Sequence, residues 1–256
     1  MSERRDSAYE LKFLVSADLA EAALGWARRH LAPDPYANSE SGDGYCVNSV
    51  YLDTPKFEVY HRVGSHGRAK YRVRRYGAEN MVFLERKLKT NGLVSKRRTR
   101  VPDHEIDFLE NGSDRSDWFG FWFHRRLRAR GLAPKCQIAY ERVARIGSVP
   151  EGPVRMTVDR NVRSFPTSEW EVKNMGPWRA VLNGQCIVEL KYRVSLPALF
   201  RGLVQELGLQ SQAVSKYRLS VQAFGWHQLG QPVNGHMNPQ ALSNVGSAPI
   251  TLHTAL

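Results

Sequence analysis

Acidic residues are scarce in this chain of 256 residues. Asp and Glu number 25 against 37 Lys and Arg, a net charge of +12. Such a balance favours anionic partners: nucleic acid, an acidic membrane surface, nucleotides or polyphosphate. The three cysteines, Cys46, Cys136 and Cys186, are odd in number and lack metal-ligand spacing. A disulfide framework and a structural zinc site are excluded on that ground, and a reduced, cytoplasmic setting is expected. No uncharged apolar run is long enough to span a bilayer, and Met1–Asp6 leads into no apolar stretch, so no signal peptide is expected. The glycines form neither a Walker A nor a Rossmann fingerprint, and no Gly-x-Ser-x-Gly is present. None of the 8 histidines forms a His-x-x-x-His pair. From Gly225 onward there is no Asp, Glu, Lys or Arg at all. Residues 1–225 are expected to form one domain, and 226–256 an uncharged, disordered tail.

What is present is charge at every second position. Lys70-x-Arg72-x-Arg74, Glu85-x-Lys87-x-Lys89, Lys96-x-Arg98-x-Arg100 and Glu189-x-Lys191 are the plainest cases. Residues i and i+2 of a strand share one face. Each segment therefore has a charged face, and Tyr71, Val73, Phe83, Val188 and Leu190 are read as its apolar back. Several such strands together predict a sheet closed around a charged interior, its apolar side turned out beneath helices. A cationic cavity is costly unless something anionic fills it.

The rest of the chain supplies the elements. Strands are expected at Ala8–Val15, Tyr45–Leu52, Gly67–Tyr76, Met81–Lys89, Leu93–Val101, Lys135–Ile146, Val154–Arg163 and Gln185–Val194. A helix follows Ser16, an N-cap candidate, and stops at Pro33. Further helices are expected at 55–63, 103–112, 116–130, 197–208 and 213–224. The fold class is α+β: an eight-stranded antiparallel β-barrel with helices outside.

Glu10 and Lys12 share a face of the first strand, and the same Glu-x-Lys recurs at Glu85 and Glu189. Lys70, Arg72 and Arg74 form a ladder. It reads either as a solvated edge or as a phosphate clamp, because guanidinium forks match phosphate oxygens. Lys96, Arg98 and Arg100 repeat it, with Arg97 on the opposite face. Arg142, Arg155 and Asp159 add charge on later strands. Glu189, between apolar neighbours, is an ion-pair partner or a ligand for Mg²⁺ or Mn²⁺, with Glu10 as a second ligand and Asp159 a weaker one. Lys216 opens a helix, where backbone N–H groups suit phosphate. Trp118, Phe119, Phe121, Trp122 and Phe123 are read as packing on the barrel exterior, with a membrane interface or a partner as the alternative.

These motifs, taken in order from Tyr9-Glu10-Leu11-Lys12-Phe13 through Tyr71-Arg72-Val73-Arg74, Glu85-Arg86-Lys87, Ser95-Lys96-Arg97-Arg98, Tyr140-Glu141-Arg142, Val154 to Asp159 and Glu189-Leu190-Lys191 to Ser215-Lys216-Tyr217, resemble the VTC (vacuolar transporter chaperone) domain. That family is the polyphosphate polymerase branch of the triphosphate tunnel metalloenzymes. The resemblance implies a tunnel barrel that binds ATP or triphosphate and polyphosphate. Phosphate ligands would be Lys12, Arg72, Arg74, Lys87, Lys96, Arg98, Arg142, Arg155, Lys191 and Lys216. Glu189, Lys191, Arg72, Arg74 and Lys96 would carry the transfer, with Mn²⁺ or Mg²⁺ on Glu189 and Glu10. The wider superfamily has Glu-x-Glu-x-Lys on the first strand; here the first position is Ala8. Hydrolysis of triphosphate and silent binding of polyphosphate or nucleotide remain alternatives. No specific nucleic acid is expected, and membrane contact only through a partner subunit.

Overall fold

The computed structural model describes residues 7–35, 37, 43–111 and 115–226. The first strand, β1 (Ser7–Val15), leads into α1 (Ala17–His30), whose first turn is capped by Ser16 Oγ accepting from the Leu19 amide at 3.2 Å. Then come β2 (Ala32–Pro33), β3 (Gly44–Asp53), α2 (Glu58–His61), β4 (Ala69–Tyr76), β5 (Met81–Thr90) and β6 (Leu93–Pro102). After α3 (Asp107–Glu110) and α4 (Phe121–Arg130), β7 (Ala133–Val149) and β8 (Gly152–Pro166) form a long hairpin. The chain continues with β9 (Arg179–Ala180), β10 (Cys186–Tyr192), α5 (Ala198–Glu206) and α6 (Lys216–Ala223).

Eight strands close into an antiparallel barrel in the order β7-β3-β4-β5-β6-β1-β10-β8, with β8 pairing back onto β7. The short β2 and β9 extend β7 and β8. Closure removes exposed edges, so the charged ladders are not there to blunt them. Register sets which side chains point inward. Lys70 lies opposite Lys87, Arg72 opposite Glu85, and Lys12 opposite Glu189. The outward face carries Val82, Leu84, Val188 and Leu190, all fully buried beneath helices. One apolar layer lies under α1 and α5, with Phe13, Trp26, Met156 and Phe200. The other underlies α2, α4 and α6, with Val73, Leu84, Phe123 and Tyr217.

Three expectations change. Phe83 lies two residues from Glu85, so it shares the inward face; its ring meets Tyr76 at 5.4 Å and carries the Arg98 guanidinium at 5.0 Å. The helix expected over 116–130 begins only at Phe121. Trp118 folds back to donate from Nε1 to Glu105 at 2.6 Å, and its ring covers Gly120 so closely that a Cβ there would lie 2.4 Å from it. The aromatic run therefore splits: Trp118 and Phe123 are buried, while Phe119 is 82% exposed. Finally, Trp226, read as the first tail residue, packs on Phe57 and Phe224. The remainder of the expected tail, 227–256, lies outside the described residues.

Candidate functional site

The inward faces of the eight strands bring cations and carboxylates together. Glu85 stands at one centre, its side chain 1% exposed. It forms ion pairs with Arg72 at 2.6 Å and Lys96 at 2.5 Å, and Arg74 lies 3.8 Å away. Burial disfavours its ionised form, yet Arg72, Lys96 and Arg74 hold its carboxyl well below the usual range. Arg72 also donates to the Tyr51 hydroxyl at 2.9 Å, and Arg74 to Ser49 Oγ at 2.9 Å. The Nη2 of Arg74 is buried and has no hydrogen-bond partner among the described residues.

A second centre forms where β1 meets β10. Lys12 pairs with Glu189 at 2.8 Å, and Lys87 with Glu10 at 2.5 Å. Burial opposes the charge on Lys12, but Glu189 and Glu10 outweigh it and raise its pKa. Lys191, on the same face of β10, has Glu10 and Arg155 as its cross-strand partners. At the third centre Asp159, wholly buried, takes a bidentate fork from Arg142 at 2.6 and 2.8 Å and the Lys216 ammonium at 2.5 Å. Burial works against that carboxylate, yet Arg142 and Lys216 bring it to about 2. Lys216 also lies 4.5 Å from the Tyr140 ring centre.

The N-terminus of α6 closes on this interior. Ser215 caps the helix and accepts from Lys70 at 2.7 Å. Tyr217 stacks on Tyr51 and donates to Asp53 at 2.6 Å. Asp53 also accepts from the Val59 and Tyr60 amides at 2.8 and 3.0 Å, so one carboxylate ties β3, α2 and α6 together. Burial, followed by the charges of Lys12, Lys87, Arg62 and Arg218, pushes Lys70 down to about 7. Burial also lowers Lys87, Lys96 and Lys216. Tyr51 and Tyr76 are brought to about 8, because Arg72 and Arg74 respectively override the opposing effect of burial.

Of the residues named from sequence, Lys12, Arg72, Arg74, Lys87, Lys96, Arg142, Lys191, Lys216, Glu10 and Glu189 share the interior. Arg155 also faces inward but is held at 2.8 Å by Asp34 and at 3.1 Å by the Tyr45 hydroxyl. Arg98 lies on the inward face but is exposed, over Phe83. Arg97 points outward and covers Trp122 at 4.2 Å. Asp159, weighed as a metal ligand, is instead saturated by two cations. Glu85, Asp53, Tyr51 and Ser49 escaped notice as site residues. The recurring Glu-x-Lys was the only signal for Glu85.

Among the described residues no group of three or more His, Cys, Asp or Glu gathers as a metal cage. Glu10 and Glu189 nonetheless lie on neighbouring strands, each held by one lysine. Thr157, the cross-strand partner of Glu189, has a buried hydroxyl with no hydrogen-bond partner among the described residues. These oxygens suit a hard divalent cation that keeps waters and takes phosphate oxygens for its other ligands.

The profile of the VTC domain matches residues 7–224. This chain belongs to the VTC domain family. No curated protein matches it significantly. Among solved structures, it resembles a putative adenylate cyclase of Bacillus halodurans at 15% identity and a TM-score of 0.51, over 85% of this chain and 96% of that one. A putative adenylyl cyclase of Hippeastrum, described as having a dominant triphosphatase activity, aligns at 15% identity and a TM-score of 0.47, over 85% and 96%. The first likeness supports the closed eight-stranded barrel. No helix of this VTC domain, among the described residues, is long and apolar enough to cross a membrane.

Proposed function

We propose that the barrel interior binds triphosphate groups and carries out metal-dependent phosphoryl transfer, most specifically the extension of polyphosphate from ATP. One observation carries this reading. Glu10, Glu85, Asp159 and Glu189 are each already engaged by a cation, two of them by more than one, and positive charge is left over. A partly dry cavity in that state is stabilised by a polyanion. Membership of the VTC family supports the same ligand.

In this reading Arg72, Arg74 and Lys96 grip the donor phosphates, with the unused Nη2 of Arg74 aimed at a phosphate oxygen. Lys12, Lys87 and Lys191 hold the acceptor chain end. A terminal phosphate oxygen of the acceptor attacks the γ-phosphorus, the bond to the β-phosphate oxygen breaks, and ADP leaves. The chain gains one phosphate and no protein nucleophile takes part. Catalysis is positioning together with neutralisation of charge on the transferring oxygens. Glu189 and Glu10 would hold Mn²⁺ or Mg²⁺, which supplies further charge neutralisation at the phosphate oxygens. Arg142 and Lys216 act through Asp159 to fix the wall.

The deciding experiment incubates the purified protein with Mn²⁺ and ATP and resolves the products. Long-chain polyphosphate with equimolar ADP supports synthesis. Free phosphate alone would replace it with hydrolysis in the same cavity. Neither product, with triphosphate still bound, would reduce the protein to a binding module.

A further inference from the structure

The inward faces of β3, β4 and β5 change chemistry along their length. On β4 the interior residues run Lys70, Arg72, Arg74 and then Tyr76; on β5 they run Lys87, Glu85 and then Phe83. Tyr45, at the start of β3, completes an arc of three partly exposed rings on three consecutive strands. Tyr45 meets Tyr76 at 5.9 Å and Tyr76 meets Phe83 at 5.4 Å, both edge to face. Val47, opposite both Tyr76 and Tyr140 in register, is buried behind them. At the other end of the interior Tyr51 also faces inward, but Tyr217 is stacked on it. Among the described residues Phe83 has no ring stacked on it; its face carries the exposed Arg98 guanidinium at 5.0 Å. The arc adjoins the phosphate grip. Arg74, with its buried and unused Nη2, is the direct cross-strand partner of Phe83, and its guanidinium lies 5.7 Å from the Tyr76 ring centre. Side chains opposite each other on an antiparallel pair are immediate neighbours. A phosphate held by Arg74 therefore brings whatever it is attached to beside the rings.

We propose that this arc is a stacking subsite for a nucleobase, centred on Phe83, so that the interior takes a nucleoside triphosphate as phosphate donor in preference to inorganic triphosphate. The inference rests on the reading that Arg74 grips the donor phosphates. A ligand that is polyanionic at one end and flat and aromatic at the other matches a wall that is cationic and then aromatic. Bases stack on aromatic side chains through their faces, with little regard to which base is present. The planar Arg98 guanidinium adds a second stacking surface beside Phe83. Arg98 is thereby assigned to the base, not to a phosphate.

Calorimetric titration compares ATP with inorganic tripolyphosphate, which has the phosphates and no base. Phe83→Leu keeps an apolar side chain and removes the ring. It should weaken ATP binding about tenfold, as the loss of one base–aromatic stack does, and leave tripolyphosphate affinity unchanged. Arg98→Lys keeps the charge at an exposed position and removes the planar surface, so it guards against misfolding. It should weaken ATP about threefold and tripolyphosphate not at all. A fluorescent adenine analogue, aminopurine riboside triphosphate, should lose emission on binding the parent protein and lose less of it in Phe83→Leu. Equal losses of affinity for both ligands would make Phe83 and Arg98 part of the phosphate grip, and no loss for either would leave the rings as packing alone. Either outcome overturns the base subsite and leaves the interior site standing. Failure of the unaltered protein to bind ATP or tripolyphosphate would overturn the interior reading itself, and the subsite with it.

Discussion

Glu85 and Arg72 face each other across β4 and β5, joined at 2.6 Å, and Lys96 reaches the same carboxylate from β6. Three consecutive strands of the wall are thereby clamped by one buried anion. Removing it leaves cations facing one another with nothing between. Glu85→Ala should destabilise the ligand-free protein by about 3 kcal/mol, the lower part of the range for a broken buried pair, since Lys96 is a third exposed. Urea unfolding measures this. Added triphosphate should recover part of the loss, and a variant as stable as the parent would show the clamp to be idle.

Arg74 and Arg97 separate the two faces. Arg74→Ala should weaken triphosphate binding by about 1.5–3 kcal/mol, the range for hydrogen bonds to charged groups. Arg97→Ala should leave binding untouched and cost about 0.5–1 kcal/mol of stability, from its place over Trp122. Calorimetric titration of both variants checks the register. Equal losses of affinity would contradict it.

The pH dependence has a definite sign. Lys70 loses its proton at about 7 in the folded protein and at 10.5 when unperturbed. Between these values the unfolded chain holds more protons, so stability rises with pH across that window. Tyr51 and Tyr76, at about 8 against an ordinary 10.0, act in the same direction. Lys12, raised above 10.5, contributes only at higher pH. An anionic ligand favours the protonated form of each of these groups, so binding triphosphate at pH 8 should take up protons. Titrations in buffers of different ionisation enthalpy read this directly. Proton release would contradict the charge balance described.

Glu189→Gln keeps the shape of the side chain and removes its charge. Turnover should fall by orders of magnitude while polyphosphate still binds, because Lys12 is freed for the ligand. Metal-dependent turnover near that of the parent would transfer the ligand role to Glu10.

Tyr217→Phe retains the stack on Tyr51 and deletes the bond to Asp53. The cost should be about 1–3 kcal/mol, since a buried carboxylate loses a partner. Thermal unfolding tests it. An unchanged melting temperature would mean that the backbone amides of α2 suffice for Asp53.

The alternation of charge was enough to read a closed barrel and to sort Arg72, Arg74 and Lys96 from Arg97, because a period of two allows only two faces. It also placed Lys12 and Glu189 on charged strand faces, while their pairing follows from the register of β1 against β10. Glu85 was not legible as a hub, since its three partners come from two other strands, β4 and β6, and their approach depends on the register of those strands against β5. Asp53 and Tyr217 lie far apart in the chain, and nothing local announces their bond. The bulge in β8, where Asn161 adopts φ 49, likewise shifts the register in a way that strand periodicity does not reveal. The helix expected from Ser116 failed because the packing of Trp118 against Gly120 overrode local propensity.

The barrel is sealed by the pairing of β1 with β10. β1, the first strand of the barrel to be made, therefore waits for residues 186–192 to emerge before it finds that neighbour, and Lys216 and Tyr217 arrive later still. Such high contact order makes the closing step slow, and it leaves β1 without its β10 partner until the other seven strands are made. A ribosome-bound fragment can thus hold most of the arginines without holding the cavity. The ability to recognise ligand becomes the last property the barrel acquires, and a chain truncated before α6 should be charged in composition yet blind to phosphate.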